Sequence, residues 1–119
     1  MDDFFEESEK LYRAVIPEGM YIKENGELTS AAFKSETGCS VDRGRNRSDE
    51  EASSFMKQNL NGSVYVFAVR NCRERTIHIE YEPTETNPFH SGLYKNSTLE
   101  KMTRGQLKHL ASVARLVSH

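Results

Sequence analysis

Five side chains offer this sequence its chemistry: His90, Arg13, Ser30, Asp42 and Asn87. His90 closes the run Asn87-Pro88-Phe89-His90, where a proline-restricted turn holds the imidazole at a set angle. Imidazole is the side chain best suited to move protons near neutral pH, so His90 is the candidate catalytic residue. The plainer alternative is a turn in which Phe89 packs and His90 bonds a backbone carbonyl. Arg13 interrupts the apolar stretch Leu11-Tyr12-Arg13-Ala14-Val15-Ile16. A charge there must reach solvent along its aliphatic stem, pair with an acid, or hold an anion such as phosphate or carboxylate. Arg13, Ser30, Asp42 and Asn87 form the candidate ligand-binding set, with Ser30 suited to bond a ribose or a base.

Other groupings carry less. His78 and Glu80 lie two apart on one strand face, which suits either an oriented imidazole or an ordinary polar surface. A metal site needs three or four convergent ligands, and His78, His90 and an acid supply them only if the fold brings them together. No metal and no cofactor is called for. Arg43, Arg45 and Arg47, with Arg70, Arg73 and Arg75, could form a basic patch for RNA or nucleotide phosphate. The bland reading is a solvated loop neutralised by Asp49-Glu50-Glu51.

The elements that must position these groups are legible in part. Residues 2–9 predict a short acidic helix with Phe4 and Phe5 inward, and residues 11–16 a buried strand ended by Pro17. The Asn25-Gly26 pair marks a tight turn in a hairpin or surface loop, and Ser30 can cap a single helical turn. Cys39-Ser40-Val41-Asp42-Arg43 reads as an edge strand and residues 43–47 as an exposed loop. Ser48 and Glu51 match a capping box for a helix running to Leu60, with Ala52, Phe55, Met56 and Leu60 buried and Asn61-Gly62 as its stop. Residues 63–69 are apolar at both parities and predict a central strand; residues 76–81 alternate. With residues 71–75 between them, the two predict an antiparallel hairpin. Residues 84–96 read as one long irregular segment. Thr103 and Gln106 form a second capping box, opening a terminal helix with Leu107, Leu110, Ala111, Ala114 and Val117 on one stripe. Lys108, His109, Ser112 and Arg115 then face water.

The 119 residues, 36% hydrophobic and 29% charged, are too few for two comfortable cores. The expectation is a single α+β domain over residues 1–119: a mainly antiparallel sheet with two or three helices, the last amphipathic and C-terminal. The formal charge of −2 argues against nucleic-acid binding through overall charge. The two cysteines lack metal spacing and secreted-scaffold density, the N-terminus lacks the features of a secretory signal, and no apolar run is long enough to span a bilayer. These features predict a cytoplasmic protein with reduced thiols and no membrane partner.

The order Leu11-Tyr12-Arg13, Thr29-Ser30-Ala31-Ala32-Phe33, Ser40-Val41-Asp42-Arg43 and Asn87-Pro88-Phe89-His90 resembles a family of small uncharacterised bacterial proteins across most of the chain. That resemblance implies a bacterial or phage origin and a shared fold. A more distant similarity is to ADP-ribosyltransferase-like folds, where an early strand ends in an arginine holding NAD phosphate and a Ser/Thr motif follows. Arg13 and Ser30 stand in that order. The sequence departs from that pattern at the late glutamate, for which Glu80 and Glu85 are nominal candidates. Three functions stay open, so whether the protein is an enzyme does too: a protein-binding accessory or immunity-like module whose partner is encoded nearby, a nucleotide- or NAD-handling enzyme with Arg13, Ser30 and His90 in one pocket, and RNA contact through residues 43–47.

Overall fold

Strand alternation sets the architecture, because the interior strands bury residues of both parities. The computed structural model describes residues 4–16, 18–36, 38–58 and 62–117. In β1 (Lys10–Val15), Leu11 and Val15 enter one hydrophobic cluster while Tyr12 and Ala14 join another on the opposite face. β2 (Cys39–Arg43), β3 (Ser63–Ala68), β4 (His78–Tyr81), β5 (His90–Tyr94) and the two-residue β6 (Arg115–Leu116) complete a six-stranded sheet. Its order is β4-β5-β2-β1-β3-β6, and every pairing is antiparallel.

The larger cluster joins Leu11, Val41, Phe67 and Leu93 to Phe33 of a 3-10 turn (Ser30–Phe33), to α2 (Val69–Arg73) and to α3 (Arg104–Val113). On the other face, α1 (Asp49–Lys57) lays Ala52 and Met56 over Tyr12, Val64 and Val66. The described residues thus form a single α+β domain with an antiparallel sheet and three helices, the last near the C-terminus. Both expected capping boxes form: Ser48 Oγ accepts from Glu51 N at 3.1 Å and Thr103 Oγ1 from Gln106 N at 3.2 Å.

Several local readings are corrected. Residues 4–9 are not helical; Phe5 is buried, but Phe4 is 65% exposed. A helix would have spent the Phe4 carbonyl internally, whereas here it accepts from Arg43 Nη2 at 2.8 Å. β2 is an interior strand between β1 and β5. β3 lies inside the sheet, yet β3 and β4 do not form a hairpin. Backbone bonds from Val69 N to Glu9 O and from Arg70 N to Glu7 O draw the chain out of the sheet into α2. α2 sinks Val69 and Cys72 into the core, and β4 lands at the far edge beside β5. Residues 84–96 therefore include a strand, β5, whose parity signal is blurred by Gly92 and the polar Ser91. The terminal helix ends at Val113; Ala114 turns extended, and Val117 packs in the α1-side cluster. His109 is half-buried, with Nε2 3.0 Å from the Asn71 carbonyl. Leu60 and Asn61 lie outside the described residues, so the predicted end of α1 does too.

The loop of residues 43–47 is also only partly exposed. Arg43 is 4% exposed, and its Nε and Nη2 reach Glu9 Oε2 and Oε1, each at 2.8 Å. Its guanidinium lies 4.0 Å from the Phe5 ring centroid and 5.0 Å from that of Tyr81. Removing one member of a buried pair strands the other charge, at a cost of about 3–5 kcal/mol. Glu9→Ala is therefore expected to lower the urea-unfolding free energy by about 3 kcal/mol. Lys10→Ala, which breaks the exposed Lys10–Asp49 contact, is expected to cost about 1 kcal/mol or less.

Candidate functional site

β2 carries adjacent charges, and the pleat sends them to opposite faces: Arg43 into the larger core and Asp42 toward the α1 face. On that face α1 covers β1 and β3, and residues 84–87 close over β2 and β5. Between them lies a cleft of about 600 Å³, lined by Arg13, Ala14, Ser40, Val41, Asp42, Phe55, Met56, Thr84, Thr86, Asn87 and His90. Clefts of this size with an apolar wall and a few convergent polar groups are the common form of small-ligand sites.

Four of the five candidates, Arg13, Asp42, Asn87 and His90, share this cleft. Ser30 does not. It lines a separate pocket of about 350 Å³ between the 3-10 turn and the start of α3, beside Lys34, Lys101 and Arg104. Ser30 is the first residue of the 3-10 turn, with Thr29 as the cap residue, and that placement carries its side chain away from His90. The expectation that Arg13, Ser30 and His90 line one pocket is thus corrected at Ser30.

Each cleft residue is held by identifiable bonds. Asp42 is 4% exposed; its Oδ1 accepts from Asn87 Nδ2 at 2.8 Å, and Oδ2 has no hydrogen bond among the described residues. Asn87 is fixed in turn, because its Oδ1 accepts from Phe89 N at 3.0 Å. Phe89 O accepts from Arg43 N, tying the turn to β2. Beyond the Tyr12–Asp42 register, β1 and β2 part. Arg13 fills that gap from the larger-core face, its guanidinium 5.9 Å from the Phe33 ring centroid: Nε donates to Ala32 O at 2.8 Å and Nη1 to Ser40 O at 2.7 Å. Its Nη2 has no bond among the described residues.

His90 is the first residue of β5, directly opposite Asp42 in register. A carbonyl can only accept, so the 2.9 Å contact from Nδ1 to Glu82 O places a proton on Nδ1. In the neutral ring Nε2 is then the acceptor, and it lies 3.3 Å from Ser40 Oγ. The imidazole does bond a carbonyl, as the plainer alternative held, and its other nitrogen still faces the cleft.

Sequence pattern did not single out Ser40 or Phe55 as cleft residues, and it placed Arg47 in a basic patch. Ser40 was recoverable, because positions 40 and 42 of one strand share a face. The setting of Arg47 was not. Its guanidinium stacks 3.5 Å from the Phe89 centroid, Nη2 donates to Arg43 O at 2.6 Å, and Nη1 is buried with no hydrogen-bond partner among the described residues. Burial lowers its pKa, and the nearby Asp42 carboxylate works against that shift. Of the arginine run, then, Arg43 is spent in the core, Arg47 on Phe89, and Arg45 lies 4.8 Å from the Tyr81 ring centroid. His78 Nε2 and Glu80 Oε1 meet at 2.7 Å, outside the cleft. Among the described residues no three His, Cys, Asp or Glu side chains converge as a metal site. No helix among the described residues is long and apolar enough to cross a membrane.

Asn87→Ala removes the partner of a nearly buried carboxylate, so it is expected to cost about 1–3 kcal/mol in chemical denaturation. Thr86→Ala, with no such bond to break, is expected to stay within about 0.5 kcal/mol of wild type. No protein-family model, no curated protein and no solved structure matches the chain.

Proposed function

We propose that the cleft binds a small polar molecule of the nucleotide class, NAD included, with His90 as its proton-moving group. The observation that carries this reading is the sharing of one cleft by Arg13, Asp42 and His90 opposite the apolar wall of Ala14, Phe55 and Met56. A nucleotide needs a flat apolar surface for its base, an acceptor for ribose hydroxyls or an exocyclic amine, and a cationic donor for phosphate. Phe55 with Met56 and Asp42 Oδ2 supply the first two, and Arg13, which fills the gap between β1 and β2 from the larger-core face, is the cation at the cleft floor. Asn87 acts through Asp42, since its amide is already committed there. Arg13 suits the phosphate end because two carbonyls already orient its planar fork, so little rotamer freedom is left to lose on binding.

The accessory-module reading rests on size and charge, whereas the nucleotide reading has a site with matching chemistry. A reducing, cytoplasmic setting fits the same proposal. Cys39 and Cys72 are both buried, and burial pushes the Cys39 thiol up to about 11 and raises that of Cys72 further.

Titration of the protein with NAD, AMP and adenosine, followed by amide chemical shifts, tests this reading. At least one ligand is expected to bind with a Kd of about 1 mM or tighter. The shifts should map to residues 40–42 and 84–90, and binding should weaken by about tenfold in Arg13→Ala or Asp42→Ala. Shifts absent at millimolar ligand, or confined to other residues, would overturn it.

A further inference from the structure

Ser40 and His90 together have the arrangement of a nucleophile and its base. Ser40 is an exposed residue on an interior strand, so its backbone is fixed while its hydroxyl faces the cleft. His90 stands one register step away on β5, with Asp42 opposite it. The Glu82 carbonyl holds the proton on Nδ1, which orients the ring and leaves Nε2 as acceptor 3.3 Å from Ser40 Oγ. Such contacts are often long in a free enzyme and tighten once substrate is bound. A nucleophile, a base within reach and a third group orienting the base are the recurring parts of covalent catalysis on unrelated folds.

A donor for developing negative charge completes such a site. Arg13 Nη1 is bonded to the Ser40 carbonyl, but its guanidinium sits toward the larger-core face, 5.9 Å from the Phe33 ring centroid, so it orders the nucleophile's backbone.

We propose that Ser40 is a nucleophile activated by His90, and that the cleft accepts a small carboxylic ester or similarly activated acyl compound. In the first step Ser40 Oγ bonds to the acyl carbon while its proton passes to His90 Nε2. The carbonyl π electrons move onto oxygen, then return as the bond to the leaving alcohol breaks and that alcohol oxygen takes the proton from Nε2. Water then attacks the acyl-serine, giving its proton to Nε2. Collapse releases the carboxylic acid, and Ser40 Oγ recovers a proton from Nε2. No oxidant, reductant or metal enters the balance. Asp42 serves to hold the adjoining wall, and it stays outside the proton path because the Glu82 carbonyl already occupies Nδ1.

This activity goes beyond nucleotide binding and is tested without any nucleotide. An alkyl fluorophosphonate reports the pair directly: Oγ bonds to phosphorus, fluoride leaves, and Nε2 takes the proton. Intact-protein mass and peptide mapping are expected to show one adduct, on Ser40. Ser40→Ala should abolish it, and His90→Gln should slow labelling by about a hundredfold. Circular dichroism of both variants verifies that the fold is kept; Ser40→Ala changes an exposed hydroxyl, and His90→Asn provides a second substitution should His90→Gln fail to fold. A wild-type protein that stays unlabelled, an adduct on another residue, or labelling unchanged by loss of the imidazole would each overturn the proposal. The nucleotide titration would stand unaffected by any of these outcomes.

Discussion

Two neighbouring charges on one interior strand constrain most of what surrounds them. Asp42 and Arg43 are each 4% exposed, and burying an unpaired charge costs far more than a domain of this size can offset. Alternation sends them to opposite faces, so two separate pieces of chain must come to meet them. Arg43 gathers the N-terminal segment through Glu9, the Phe4 carbonyl and the Phe5 ring. Asp42 gathers the segment of residues 84–89 through Asn87. The first closes the larger core, and the second builds the outer wall of the cleft.

The same logic explains why four separated sequence segments belong together. Arg13 bonds the carbonyls of Ala32 and Ser40, which joins the first segment to the second and third. Asp42 bonds Asn87, which joins the third to the fourth. Tyr12 adds a further tie, because its hydroxyl donates to Asp49 at 2.6 Å and anchors the start of α1 against β1. Burial and that carboxylate together push the Tyr12 hydroxyl to a high pKa, so it stays protonated and keeps donating. The polar residues that look functional in sequence thus also act as the scaffold's fasteners. Among the described residues these bonds leave Asp42 Oδ2 and Arg13 Nη2 over, while His90 Nε2 meets Ser40 Oγ at 3.3 Å.

The fold class, both capping boxes and the main strand positions were legible because each depends on local pattern. Ser48 with Glu51 and Thr103 with Gln106 need only three-residue spacing, and residues 63–68 are apolar enough to read as a strand in isolation. What failed depended on partners distant in sequence. No local signal at residues 71–75 tells that Val69 and Arg70 will bond Glu9 and Glu7 and so forbid a hairpin. Nor does the Arg43–Arg47 run reveal that Glu9 and Phe89 will consume two of its charges. The site was half legible for the same reason. Asp42, Asn87 and His90 could be picked by residue type, whereas Ser30 was misplaced because only tertiary structure separates its pocket from theirs.

The central claim is that Asp42 holds the 84–89 segment and thereby forms the cleft. Hydrogen–deuterium exchange on Asp42→Ala beside the wild type tests it most directly, reading the amides of Asn87 and Phe89 against those of β1 and β3. Protection at Asn87 and Phe89 is expected to fall by about tenfold or more while β1 and β3 exchange as before, the loss of one charge-assisted bond being about 1.5–3 kcal/mol. Unchanged protection at those two amides in a folded Asp42→Ala protein would contradict it.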